Sequence, residues 1–306
     1  MMALMVAASV AAASPIEAPG PSGPLAGTLI DAGKGAPIIV IIPGSGPTDR
    51  DGNNSMGVAA APYRQLAEAL GARGISSVRI DKRGMFGSKA AIANPNRVTI
   101  ADYADDAHAW AAVMRKRSGA PCVWLLGHSE GGLIALAAGQ RPAGLCGVIA
   151  VSTPGRKLGD VIREQLRANP ANAPILDVAL ATLGKLEAGE AVDSANLPQA
   201  LQPLFDNDVQ PFLRDLLSHD PARLSASLRL PLLIVQGDRD LQVTVEDAKR
   251  LAAAQPKARL AILPGVNHVL KVPATDDRAA NLAAYADPAL PLAASVAGAI
   301  SALVKP

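Results

Sequence analysis

The chain has 306 residues, and 49% of them are apolar, enough for one large α/β domain with a sizeable buried core. Charged residues make up only 18% and the formal net charge is +2, which gives no electrostatic basis for a nucleic-acid partner. Aromatic residues are scarce at 3%, so a substrate pocket is expected to be lined by small aliphatic side chains.

Residues 1–13 form an apolar stretch that ends in Ala11, Ala12 and Ala13, the small-x-small pattern read by signal peptidase. Cleavage there leaves Ser14 at the mature N-terminus and predicts an exported, periplasmic or secreted protein. The stretch carries no Lys or Arg, so a misassigned start or an Ala-rich tail on a cytoplasmic protein is the alternative. Residues 14–26, with Pro15, Pro19, Pro21 and Pro24, read as a flexible linker. No later apolar run reaches about 18 residues, so no stable membrane span is expected.

From Ile38 onward, strand and helix alternate, which predicts a mostly parallel sheet with helices on both faces. Ile38 to Ile42 is an unbroken β-branched run, as in a strand buried on both sides. Tyr63 to Arg73 has helical spacing, and Ile75 to Asp81 is the next strand. Thr99 caps a helix running to Arg117, with Asp102 in its first turn and Arg115, Lys116 and Arg117 in its last, as the helix dipole favours. Strands follow at Cys122–Leu126 and Leu145–Val151, with a helix over Leu133–Gln140 between them. Between 154 and 229 the strand signal disappears, and helical periodicity is interrupted by six prolines. A stretch of that length is expected to be a helical lid over an active site, or a helical extension covering a sheet edge. Strands at Leu232–Gln236 and Leu260–Leu263, a helix at Val245–Ala254 and a C-terminal helix at Ala293–Val304 complete the pattern. The core is therefore assigned to 27–153 and 230–306.

The chemistry concentrates around Gly127, His128, Ser129, Glu130 and Gly131, a Gly-x-Ser-x-Gly set between a strand and a helix. A serine on so sharp a turn projects its hydroxyl above the sheet edge, and the flanking glycines let strand and helix approach. Ser129 is the candidate nucleophile, and it needs a base. Of four histidines, His268 follows the last strand and so emerges at the same sheet edge. His128 abuts the nucleophile but is expected to point away from it, His108 lies inside a helix, and His219 reads as a lid surface residue. The orienting acid is expected between Gly237 and Val243, where Asp238 and Asp240 compete. An oxyanion would be held by the backbone N–H of Glu130 and by a second donor from the loop after Ile42, with Ser45 first and Gly46 next by position.

With these residues in hand, the chain from Thr28 to Val304 resembles the α/β-hydrolase superfamily. The order Ser129, acid, His268 is that of the superfamily. Its Gly-x-x-Asp-x-x-Val pattern, laid on Gly237 to Val243, selects Asp240, with Asp238 as a loop-stabilising residue. The string from Gly44 to Asn53 (GSGPTDRDGN) resembles the loop of bacterial carboxylesterases, although Pro43 stands where many relatives have histidine. Asp81 to Ser88 resembles an Asp-x-Arg-Gly-x-Gly-x-Ser loop with one extra residue, implying a shifted loop. Asp49, Arg50 and Asp51 read as a structural arginine between two carboxylates rather than as substrate contacts.

The resemblance implies an α/β-hydrolase fold with a helical lid and a serine esterase acting on small-molecule esters with small to medium acyl groups. Such a triad needs no metal and no organic cofactor. Peptidase or thioesterase activity on the same triad, a lyase or perhydrolase role, and a non-catalytic binding protein on this scaffold are the alternatives. Cys122 and Cys146 fall near one level of neighbouring strands, which suits either a disulfide or two small core residues.

Overall fold

The structure is a computed structural model that describes residues 12–305. Most of the expected export signal, residues 1–11, lies outside the described residues.

Both ends of the segment expected as a linker are instead sheet, with a loop only over 19–24. Strand β1 (Ala13–Ala18) pairs antiparallel with β2 (Leu25–Ile30), from Ala13 opposite Ile30 to Ala18 opposite Leu25. The physical reason is a period-two pattern beneath the polar composition. Ser14, Ile16 and Ala18 turn inward while Glu17 stays exposed, and Ile16 packs on the main core. Pro15 is tolerated because β1 is an edge strand, where a missing N–H need not break a ladder.

β3 (Ile38–Ile42) is fully buried and alternates between two cores. Ile38, Val40 and Ile42 face one core, whereas Ile39 and Ile41 face the other. Helix α1 (Pro62–Gly71) covers the second face with Leu66 and Leu70, and β4 (Ser76–Ile80) follows. Helix α2 (Ile100–Ser118) covers the first face with Tyr103, Trp110 and Met114. Its start is the expected reciprocal cap, since Asp102 N–H donates to Thr99 Oγ1 while Thr99 N–H donates to the Asp102 carboxylate.

β5 (Val123–His128), α3 (Glu130–Ala138) and β6 (Leu145–Val151) come next. Four helices then occupy much of the strand-free region, α4 (Leu158–Ala168), α5 (Leu176–Glu187), α6 (Gln210–Ser218) and α7 (Pro221–Ser227). They hold a small core of their own, built from Leu183, Leu186, Leu201, Phe205 and Leu217. Pro211 and Pro221 sit in the first turns of α6 and α7, where a missing N–H costs nothing. β7 (Leu232–Gly237), α8 (Val245–Ala254), β8 (Arg259–Leu263), α9 (Arg278–Ala283) and α10 (Ala294–Val304) complete the chain.

The eight strands form one sheet in the order β1-β2-β4-β3-β5-β6-β7-β8, with β2 antiparallel to both neighbours and the rest parallel. Register places the functional loops together. Ile42 lies opposite Gly127, so the loops after β3 and β5 leave the sheet side by side. Gly237 lies opposite Leu263, which does the same for the loops after β7 and β8. No helix among the described residues is long and apolar enough to cross a membrane.

Cys122 and Cys146 are joined in a disulfide with their Cα atoms 5.1 Å apart. It lies at the entry to β5, the end of the sheet opposite Ser129.

Candidate active site

Ser129 sits between β5 and α3 with φ 55° and ψ −121°, a left-handed conformation that costs a non-glycine residue energy and persists only under surrounding constraint. The constraint is visible in the flanking glycines. A Cβ on Gly127 would lie 1.9 Å from the carbonyl oxygen of Gly131, and one on Gly131 would lie 2.3 Å from that of Ile42. Ser129 N–H is tied to Val151 C=O at 2.9 Å.

His268 is nearly buried in the loop after β8, and its Nδ1 lies 2.8 Å from Asp240 Oδ2. Asp240 Oδ1 accepts from the N–H groups of Gln242 at 2.8 Å and Val243 at 2.9 Å, while Oδ2 also accepts from Gln236 Nε2 at 3.2 Å. Burial alone would push this carboxyl up, but the attraction of His268 and these donors outweigh it and hold Asp240 below the usual carboxylate range. The aspartate loop and the histidine loop are also joined directly. Gly265 N–H donates to Asp238 Oδ1 at 2.7 Å, and Arg239 N–H donates to Val266 C=O at 3.0 Å. Asp238 is thus occupied by the backbone, while Arg239 pairs with Asp276.

The loop after β3 passes directly over the serine, since a Cβ on Gly44 would lie 3.3 Å from Ser129 Cβ. Ser45 borders the same space as Ser129 and Glu130. Glu130 is the first residue of α3, where backbone N–H groups have no intrahelical partner.

Two neighbours, Tyr63 and Lys82, escaped the sequence reading, and a third, His128, was expected only to point away from the serine. His128 is buried, and its Nε2 lies 2.8 Å from the His268 carbonyl, which can only accept, so Nε2 carries the proton. Burial, followed by the charge of His268, pushes its pKa down to about 3, and the ring is neutral. Nδ1 therefore accepts from Tyr63 OH at 2.9 Å, and the Tyr63 oxygen accepts from Gly44 N–H at 3.1 Å. Burial pushes the Tyr63 phenol far above its ordinary range, so it remains a donor. Lys82 Nζ donates to Gly44 C=O at 2.7 Å and to Glu130 Oε1 at 2.9 Å. A lysine inside the Asp81–Ser88 motif and a histidine beside the serine were the signals available.

Other expectations resolve differently. Arg50 does not lie between Asp49 and Asp51. It bonds Asp81 through its backbone N–H at 3.0 Å and its guanidinium, while Asp51 pairs with Arg79 and Asp49 accepts from the N–H groups of Asp51 and Asn53. The charges thus stitch the loop to the end of β4 and are structural, as read, but with other partners. The extra residue in the following loop is absorbed by Phe86 at φ 44°. His108 lies inside α2 as expected, with its Nε2 against the Ala138 carbonyl, whereas His219 lies 3.6 Å from Asp215, half-buried instead of on the surface.

Two sizeable cavities, beside a third of only about 30 Å³, border Ser129. The smaller, about 340 Å³, is bordered by His268, Thr48, Asn54, Gln242 and Tyr285. The larger, about 500 Å³, is bordered by Leu158, Val161, Ile162, Phe212, Leu213 and Leu216 from α4 and α6.

Comparison with known proteins agrees with this architecture. The Alpha/beta hydrolase family matches residues 39–285. Esterase EstD of Thermotoga maritima is 27% identical over 243 residues, covering 76% of this chain and 54% of EstD. A monoacylglycerol lipase of Mycolicibacterium smegmatis is 25% identical over 229 residues, covering 68% of this chain and 76% of the lipase. The chain therefore spans about half the length of the first relative and three quarters of the second. Among solved structures, the alpha/beta hydrolase GrgF from Penicillium sp. sh18 superposes with a TM-score of 0.57 at 20% identity, over 84% of this chain and 91% of GrgF, which establishes the shared fold.

Proposed function

The chain belongs to the alpha/beta hydrolase family, and from that premise we propose that it is a serine hydrolase that cleaves carboxylic esters through an acyl-enzyme. The observation that carries this reading is His268, held at 2.8 Å by the buried Asp240, bordering the same cavity as the strained turn at Ser129. Ser129 Oγ attacks the ester carbonyl carbon as His268 Nε2 takes its proton. Asp240 holds Nδ1–H and stabilises the charged ring. The carbonyl electron pair moves onto oxygen, where the N–H groups of Ser45 and Glu130 receive it. Collapse breaks the bond to the alkoxide, which leaves with the proton from His268. Water then repeats the sequence on the acyl-enzyme and releases the acid.

Proton return sorts the two cavities. The departing alkoxide must meet His268, and among the described residues only the smaller of the two cavities borders that ring. The alcohol portion is therefore assigned to the smaller, hydrogen-bonding cavity and the acyl portion to the larger, aliphatic one. A volume of about 500 Å³ suits small to medium acyl chains. Helices α4–α7 act as the lid over that chamber. The disulfide and the apolar N-terminal stretch support export to an oxidising compartment.

Hydrolysis of p-nitrophenyl acetate, butyrate and octanoate beside Ser129→Ala, with fluorophosphonate labelling of Ser129, tests the reading. Turnover and labelling that vanish in the variant support it. Turnover equal in both proteins, or none in either, overturns it. Relative rates on matched amides and thioesters separate an esterase from a peptidase or thioesterase.

A further inference from the structure

Lys82 is an unusual residue to find where it is. Its side chain is 2% exposed and that of its partner Glu130 is 3% exposed, so both charges are removed from water. A buried ion pair of this kind adds little to stability, because desolvation offsets the Coulombic gain. Its presence calls for another reason, and the contacts of the ammonium supply one. Nζ donates to Gly44 C=O and to Glu130 Oε1 and lies 5.4 Å from the centre of the Tyr103 ring. The Gly44 carbonyl and the Ser45 N–H belong to one peptide unit, which is planar, so gripping the oxygen fixes the direction of the N–H. A cation on that carbonyl also polarises the amide and strengthens the N–H as a donor. Glu130 carries the other assigned donor on its own backbone.

We propose that Lys82 is a positioning residue that organises the oxyanion pocket, its one ammonium pinning the peptide of Ser45 and the side chain of Glu130 together. The proposal rests on the reading that these two N–H groups receive the oxyanion. The loop it pins needs such a pin, because Gly44-Ser45-Gly46 has little intrinsic stiffness. Lys82 is itself anchored through its neighbour. Arg83 holds Asp106 on α2 with bonds of 2.9 and 2.7 Å, and Asp102 with one of 2.9 Å to its carboxylate and one of 3.0 Å to its carbonyl. From the other side, Tyr63 OH holds Gly44 N–H, so the glycine is gripped at both its polar groups.

The test is Lys82→Met, read with p-nitrophenyl butyrate and with a trifluoromethyl ketone. Addition of Ser129 Oγ to that ketone gives a tetrahedral hemiketal oxyanion, while the serine proton passes to His268. We expect kcat to fall on the order of 30- to 100-fold, with KM held within about 3-fold. Affinity for the ketone should fall by the same factor as kcat. Hydrogen exchange of the amides in residues 43–47 should quicken. Lys82→Met alone leaves a buried carboxylate unpaired and can misfold, so Lys82→Met/Glu130→Met is made beside it. That double variant replaces the pair by apolar side chains and is expected to fold yet remain as slow. Wild-type kcat in either folded variant, or kcat lost with ketone affinity unchanged, overturns the proposal. A wild type that neither turns over esters nor binds the ketone overturns the ester-hydrolase reading instead. In that protein the exchange of residues 43–47 still decides whether Lys82 pins the loop.

Discussion

The imidazole of His128 donates from Nε2 to the main-chain carbonyl of His268 across 2.8 Å, although 140 residues separate them. The ring beside the candidate nucleophile thereby fixes the backbone that carries the candidate base. Because its other nitrogen, Nδ1, accepts from Tyr63 OH, it is not free to act as the base itself.

Burial of the same ring, which outweighs its bond to the His268 carbonyl, sets a pH dependence of stability. The unfolded chain takes up a proton on His128 near its ordinary value of 6.5, whereas the folded chain resists until about 3. Between those values the unfolded state binds more protons, so stability falls as pH drops, by about 1.4 kcal/mol per unit from this residue. Urea midpoints measured from pH 7 to pH 4 should decline, and His128→Gln should flatten that part of the decline. A slope identical in both proteins contradicts the assignment.

Tyr63→Phe removes one hydroxyl and strands two buried groups, Gly44 N–H and His128 Nδ1. An expected loss of about 2 kcal/mol follows from the cost of unsatisfied buried polar atoms. Chemical denaturation measures it, and the accompanying drop in kcat should exceed any rise in KM, because the loop over Ser129 loosens.

Asp240→Asn should leave the fold intact while lowering kcat by about 10⁴, since an amide cannot hold the ring in the tautomer the reaction needs. Asp238→Asn, by contrast, touches only the tie to Gly265 and should cost less than about 10-fold. Steady-state kinetics on both variants discriminates the two aspartates, and the reverse ranking would exchange their roles.

Reducing the Cys122–Cys146 bond, which closes a separation of 24 residues, should destabilise the protein by about 3 kcal/mol. The bond lies at the opposite end of β5 from Ser129, so Cys122→Ser/Cys146→Ser should lower Tm while kcat at 25 °C stays unchanged. Calorimetry and kinetics on the same preparation check both halves.

Narrowing the aliphatic cavity tests its assignment to the acyl group. Val161→Phe should depress octanoate turnover about 10-fold or more relative to acetate. Equal losses on both esters would place the acyl chain elsewhere.

Much of this was legible in the residues alone. The Ile38–Ile42 run, the Thr99 and Asp102 cap and Gly127 beside Ser129 all act within a few residues of themselves. Local sterics, capping and periodicity therefore determine the strands, the long helix and the sharp turn. Chain order put the loops of His268 and of Asp238 and Asp240 at the sheet end where Ser129 sits, because parallel strands deliver successive loops to one end. The choice of Asp240 came from the family pattern. The linker reading at 14–26 erred because composition says nothing about an open edge. The Ser14, Ile16 and Ala18 alternation becomes a strand only once β2 offers unpaired backbone groups beside it. Tertiary structure alone brought Tyr63 to His128 across 65 residues, Lys82 to Gly44 across 38 and Lys82 to Glu130 across 48. A buried polar group must find a partner wherever the fold supplies one, and that partner is chosen by distance in space, which residue spacing along the chain does not encode.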